Sequence, residues 1–221
     1  ADEYINAYEK YGHWKDASVM VRGDAAWSFT VFFLQMWALC TKEAEDFAKF
    51  YPWKNEKCDI SGDGYIQPYS DSPLDSENVG EHVYLQIIDG AKKYLYINTP
   101  YLIINESLVT ALTLAAKSGV DVRIVTPYKW DKLIVHITTQ SYYRELIRAG
   151  VQIYEYSSGF IHSKTFVSDD AVATVGTTNL DFRSLYMHFE CGIRISGGTV
   201  ISEIKKDFLN TLERCKKITE E

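Results

Sequence analysis

Between Tyr65 and Tyr156 short apolar runs alternate with amphipathic stretches, and this rhythm restricts the fold more than any other feature. Tyr94–Asn98, Val120–Thr126 and Val151–Tyr156 have strand length and β-branched or aromatic content. The first stops at Thr99-Pro100, because the residue before a proline avoids the helical region. Glu81–Lys92 repeats Val83, Ile87, Ile88 and Ala91 at helical spacing. Asn105 is placed to cap a helix over Glu106–Ser118 that Gly119 ends, and a long helix over Asp131–Ala149 ends at Gly150. Strands joined by helical crossovers lie parallel, with helices covering both faces of the sheet. The expectation is an α/β domain around a largely parallel sheet.

The flanks are less regular. Ala17–Arg22 reads as a strand, Gly23-Asp24 as a turn and Ala25–Thr41 as a helix. Only Ser28, Thr30 and Gln35 interrupt the apolar run Ala25–Cys40. Its sixteen residues fall short of the roughly 20 that a membrane span needs, and Asp24 and Lys42 bracket it. A buried core helix is expected. The alternative is an interfacial helix using Trp27, Phe29, Phe32, Phe33 and Trp37. Thr41–Asp63, with Pro52 and Ser61-Gly62-Asp63-Gly64, reads as a charged, irregular connection. Tyr65–Pro68 is a short strand, and Ser70–Glu77 a loop. Thr199–Cys215 is a closing helix with Ile204, Phe208 and Leu212 inward.

A hydrophobic content of 46% is enough for a full core. A net charge of −7 leaves no broad basic footprint, which argues against a general nucleic-acid binder despite Lys92-Lys93 and Lys205-Lys206. Cys40, Cys58, Cys191 and Cys215 form no C-x-x-C pair and are expected as reduced thiols. The chain opens without a basic start and small-residue cleavage site, so no secretory leader is expected. His82 and His136 stand in helical stretches without ligand-spaced partners, and no metal site or cofactor is expected.

Ile161–Glu190 carries the chemistry. Lys164–Val167 and Val172–Val175 read as strands joined by a turn at Asp169-Asp170. His162 and Lys164, two apart, would share a face, and Gly176-Thr177-Thr178-Asn179 adds a tight turn with hydroxyl and amide donors. Imidazole, ammonium, hydroxyl and amide at one spot suit a phosphate: one nucleophile, and donors for its oxygens. Asp169, at odd spacing from His162, is expected to anchor the turn. Glu190 could accept from the second nitrogen of His162 and orient the ring. His13-Trp14-Lys15 is also H-x-K, but Met20 stands where the aspartate should be and no G-T-x-N follows. His13 is therefore expected in a packing or surface role. Tyr101 is open between packing and substrate contact, and Arg183 is expected in a structural pair with a carboxylate, the alternative being a lipid phosphate.

The spacing H-x-K-x4-D followed by G-T-x-N resembles the HKD motif of the phospholipase D superfamily. The longer phrase GTTNLDFRSLYMHFE is similar to the second HKD motif of bacterial cardiolipin synthases, with His188 standing where that family has Asn. Asp2-Glu3-Tyr4, Gly12-His13-Trp14-Lys15-Asp16, INTPYLIINE over Ile97–Glu106, and Gly150–Tyr156 also resemble family phrases.

The resemblance implies a phospholipase D-like fold with a mostly parallel or mixed sheet. Residues 1–63 would be the tail of a preceding HKD half plus a linker, and residues 64–221 the second HKD domain. His162, Lys164, Asp169 and Glu190 would be catalytic, with Lys164, Thr177 and Asn179 on the substrate phosphate and no metal. The implied partners are phosphatidylglycerol or another anionic phospholipid, and the missing first half or a homodimer partner; no nucleic acid is implied. The implied reaction converts two phosphatidylglycerols into cardiolipin and glycerol, at the cytoplasmic face of a bacterial membrane for the full-length protein, with this fragment soluble. Three other readings stay open at this level. They are a phospholipase D-like hydrolase or phosphatidylserine synthase, a single-motif dimeric nuclease, and a non-catalytic module that binds anionic lipid.

Overall fold

A computed structural model describes residues 2–51 and 62–220. In chain order the elements are β1 (His13–Lys15), α1 (Asp24–Thr41), β2 (Gly64–Asp71), α2 (Val79–Gly90), β3 (Tyr94–Asn98), β4 (Leu102–Ile103) and α3 (Glu106–Lys117). They continue with β5 (Asp121–Pro127), α4 (Leu133–Ser141), α5 (Tyr143–Ala149), β6 (Gln152–Tyr156), β7 (Gly159–Ile161), β8 (Thr165–Ser168) and β9 (Val172–Gly176). Last come β10 (Leu180–Asp181), α6 (Phe182–Met187), β11 (Glu190–Gly197), α7 (Val200–Leu212) and β12 (Cys215–Lys217).

Eight strands form one sheet in the order β12-β6-β5-β3-β8-β9-β11-β2. The pairs β3–β5 and β5–β6 are parallel, as the crossover helices require, and the other five are antiparallel. The sheet is thus mixed, with a smaller parallel share than the alternation predicts. The tight turn after β8 can only join antiparallel neighbours, and the other four antiparallel pairs bring together strands distant in the chain or separated by α6. Helices cover both faces. On one, Tyr84, Ile88, Leu108, Leu112 and Leu146 from α2, α3 and α5 close over Leu95, Ile97, Ile124 and Ile153. On the other, Ile201 and Phe208 of α7 pack on Tyr96, Val125 and Val167, with the Phe208 ring stacked 4.8 Å from Tyr96.

The Asn105 side chain accepts from Leu108 N at 3.0 Å, so α3 is capped as expected. Other expectations change. The helix expected over Asp131–Ala149 is two helices broken at Tyr142. The closing helix ends at Leu212, and Cys215 instead opens an edge strand antiparallel to β6. Ala17–Arg22 forms no strand; Val19 and Val21 pack singly against the second core. The strand forms earlier, where β1 pairs in parallel with β7. There Gly12 and Gly159 let two backbones approach closely: a Cβ on Gly12 would stand 2.7 Å from Ser158 O.

α1 forms as expected but is not a core helix. It touches β2 and the 3-10 turn Phe47–Phe50 on one side, so only Leu34 is buried while Phe33 and Trp37 are exposed. Among the described residues no helix is long and apolar enough to cross a membrane. Cys40, Cys191 and Cys215 are free thiols. Cys58, Pro52 and Ser61 lie outside the described residues.

Candidate active site

Three elements converge on His162. β7 delivers the chain into the short loop His162-Ser163-Lys164, and β8 carries it away. Because β1 runs beside β7, Lys15 O accepts from His162 N at 2.7 Å, and the next residue, Asp16, reaches the ring. His162 Nδ1 donates to Asp16 Oδ2 at 3.0 Å. Trp14 lies against the imidazole with ring centres 4.9 Å apart. Nε2 is thereby left as the nitrogen free of a carboxylate.

The Lys164 ammonium sits 2.8 Å from Nε2 and 3.0 Å from Nδ1, and donates to His162 O at 2.6 Å. The residue is only 8% exposed. Burial pushes its pKa down to about 8, against the opposing pull of Asp16, Glu190 and Asp181. Asp16 responds in the other sense. Partial burial works against its ionisation, but the His162 hydrogen bond and the charges of His162 and Lys164 hold its carboxyl below the usual range.

The β8–β9 hairpin supplies the other wall. Asp169 and Asp170 both take φ 56°, the left-handed pair of a tight type I′ hairpin turn that aspartate tolerates. The Asp169 carboxylate accepts from Lys92 N (2.6 Å), Lys93 N (2.8 Å) and Tyr94 N (2.9 Å). Burial opposes its ionisation, yet these three donors hold its carboxyl below the usual range. Asp169 is the turn anchor that its spacing predicts. It stands at the far end of β8 and does not join His162.

β9 ends at Gly176, and the turn Thr177-Thr178-Asn179 is pinned from several sides. Tyr84 donates its hydroxyl to Thr178 O at 2.6 Å, Asn179 N donates to Ser184 Oγ at 2.8 Å, and Thr177 N donates to Cys191 O at 2.9 Å. Glu190, the first residue of β11, closes this network. Its carboxylate accepts from the Thr177 hydroxyl and, at 2.5 Å, from the Ser184 hydroxyl. His188 Nδ1 is 3.5 Å away.

The expected Glu190–His162 contact is therefore absent among the described residues. Glu190's oxygens are already taken, and Asp16 is the carboxylate on the imidazole. Nothing in the spacing of residues 161–190 could show this, because Asp16 lies 146 positions away. Its one sequence signal is the phrase Gly12–Asp16. Ser184 is the second residue missed; it matters only once α6 folds back on Asn179.

His162, Lys164, Thr177 and Asn179 thus line one open cleft of about 560 Å³, together with Asp16, Ala17, Ser18 and Gly176. A cationic donor, an amide and an imidazole held by a carboxylate are a donor set for a phosphodiester, beside a Thr177 hydroxyl whose proton goes to Glu190. The remaining candidates stay outside. His13 Nδ1 meets the Tyr156 hydroxyl at 3.0 Å, a packing role. Tyr101 donates to Asp131 at 2.7 Å. Arg183 is exposed and makes no ion pair among the described residues, contrary to the structural pair expected of it. The segment that holds it is turned outward, and the nearby Asp181 carboxylate caps α6 instead by accepting from Arg183 N and Ser184 N.

Comparison with known proteins bears on this cleft. Residues 84–212 match the family model described as cardiolipin synthase, PLD-like domain. A Streptococcus mutans protein described only as uncharacterized is 46% identical over 220 residues, covering 99% of this chain and 47% of that protein. A cardiolipin synthase of a Geobacillus species is 35% identical over 217 residues, covering 98% of this chain and 43% of the relative. The chain thus spans less than half the length of the curated relatives it matches. Among solved structures, the phospholipase D family member Nuc from Salmonella typhimurium superposes with a TM-score of 0.61 at 19% identity, over 71% of this chain and 99% of that one. At that identity the likeness establishes the fold.

Proposed function

The chain belongs to the cardiolipin synthase family of phospholipase D-like domains, and from that premise we propose that it supplies one histidine half of a phosphatidyl-transfer site. His162 Nε2 attacks the phosphorus of phosphatidylglycerol, or serves as the acid while a second histidine attacks. The bond from phosphorus to the glycerol oxygen breaks, the other histidine protonates that oxygen, and a phosphatidyl-histidine remains. The same histidine then takes the proton from a hydroxyl of another phosphatidylglycerol. That oxygen attacks phosphorus, the histidine is released, and the products are cardiolipin and glycerol.

The single observation behind this reading is the His162 ring, held at Nδ1 by Asp16, in one cleft with Lys164, Thr177 and Asn179. Asp16 favours one tautomer and stabilises the imidazolium that forms as Nε2 takes a proton. Lys164 moves its donors from the ring to the phosphoryl oxygens, where charge accumulates. Glu190 acts one step back, holding Thr177 and Ser184 so that the turn meets the phosphate without rearranging. Each positioned acid or base contributes about 10²–10⁴-fold. The second histidine comes from a first HKD half of the same polypeptide or from a second copy. The intact protein works at the cytoplasmic face of a bacterial membrane in this reading.

The test is a trapping experiment. Intact protein containing this region is mixed with phosphatidylglycerol labelled in its acyl chains, quenched, and mapped by mass spectrometry. A phosphatidyl adduct is expected on His162 or on the partner histidine. An adduct on serine, cysteine or aspartate refutes the reading.

A further inference from the structure

The segment leaving β5 carries side chains that a water-exposed surface seldom groups together. Tyr128 and Trp130 are exposed, as are Leu133, Ile134 and Ile137 on α4, with Ile134 at 80%. Lys129 and Lys132 are interleaved and exposed. Lys132 lies 3.9 Å from Asp131, whose carboxylate also takes the Tyr101 hydroxyl. Lys129 has no ion-pair partner among the described residues. Phenol and indole rings suit the headgroup level of a bilayer, aliphatic groups the layer just beneath, and ammonium groups the lipid phosphates. In a chain of net charge −7 the segment is locally basic, and it joins those lysines to exposed aromatic and aliphatic side chains.

The segment is also linked by contacts to the strand that carries His162. Tyr101, tied to Asp131, stands edge-on to Phe160 at 6.3 Å, and Phe160 is 6.3 Å from His162. Lys129 N donates to Gly159 O, on the strand that delivers His162. α1 also exposes Phe33 and Trp37, but Glu43, Glu45 and Asp46 follow its C-terminal end and repel an anionic surface.

We propose, on the phospholipid reading above, that residues 128–137 are the surface by which this domain docks on an anionic bilayer beside the His162 cleft. Trp130 and Ile134 enter the interface and Lys129 meets lipid phosphate.

The 221-residue chain is sedimented with phosphatidylglycerol vesicles and, separately, with phosphatidylcholine vesicles, while circular dichroism melts check folding. Binding to phosphatidylglycerol is expected to exceed binding to phosphatidylcholine. It should fall at least about tenfold in Ile134→Asp and in Trp130→Ala, and about fivefold in Lys129→Ala, with melting unchanged. No binding by the parent chain, or binding unchanged in both Ile134→Asp and Trp130→Ala, overturns the proposal. So does a parent dimer, seen by light scattering, that Ile134→Asp splits without loss of vesicle binding, since the face then covers a second copy. Vesicle binding and the histidine adduct are read separately. Docking without an adduct refutes the transfer reading alone, and an adduct with vesicle binding indifferent to these substitutions refutes the docking alone.

Discussion

Replacing Lys164 with methionine separates what the lysine costs the fold from what it does in the cleft. Burial lowers its pKa from the ordinary 10.5 to about 8. At about 1.36 kcal/mol per pH unit, holding this ammonium protonated at pH 7 costs roughly 3 kcal/mol of folding free energy. Methionine fills a similar volume without charge, but leaves His162 O without its donor, a loss of about 1 kcal/mol. The variant should therefore be more stable than the parent by about 2 kcal/mol at pH 7, or about 4–8 °C in Tm for a chain of this size.

The sign of the pH dependence follows from the same numbers. Between about 8 and 10.5 the folded chain has released a proton that the unfolded chain retains, so the parent gains stability as pH rises through that window. The advantage of Lys164→Met should shrink by roughly 2 kcal/mol between pH 7 and pH 10. Urea melts of both chains at the two pH values measure this, and turnover by the intact enzyme carrying Lys164→Met should be lost. A variant less stable than the parent at pH 7, or a difference that does not narrow by pH 10, refutes the reasoning.

Other substitutions divide the site from its supports. Asp16→Asn in the intact enzyme should lower kcat by about tenfold or more, because the imidazolium loses its carboxylate; an unchanged kcat in a folded variant places the orienting group elsewhere. Glu190→Gln should also lower kcat by about tenfold, with a raised KM, since it loosens Thr177 and Ser184 rather than the imidazole; a drop in kcat at constant KM would restore the direct His162 role. Asp169→Ala should cost about 2 kcal/mol in a urea melt, by removing the acceptor of three backbone donors, and thermal stability equal to the parent's would contradict the anchor role. The 221-residue chain alone should fold yet turn over phosphatidylglycerol far more slowly than the intact enzyme, because a reacting group displaced by about 1 Å already costs around 10²-fold. Turnover near the intact rate, with a dimer in light scattering, would instead establish a self-sufficient pair of His162 sites.

Local chemistry determined much of this molecule. β3 appears at the residues its apolar run and Thr99-Pro100 require, α3 starts at the Asn105 cap, and the Asp169-Asp170 turn forms where two left-handed residues are tolerated. His162, Lys164, Thr177 and Asn179 meet in one cleft because a hairpin and a turn only a few residues apart bring them there. These are effects of period, caps and turns, all written within short stretches of the chain. What the tertiary structure decided has longer range. Asp16 reaches His162 only because β1 docks beside β7, and Glu190 is diverted to Thr177 and Ser184 only because α6 folds back onto the turn. Whether α1 is buried depended on what else packs over it, which its own apolar run cannot specify; the run fits a core helix and a one-sided surface helix equally well. The antiparallel majority of the sheet likewise rests on long-range pairings, such as β3 with β8 and β11 with β2, that no local pattern specifies. Periodicity records which face of an element is apolar, but not which partner will cover it.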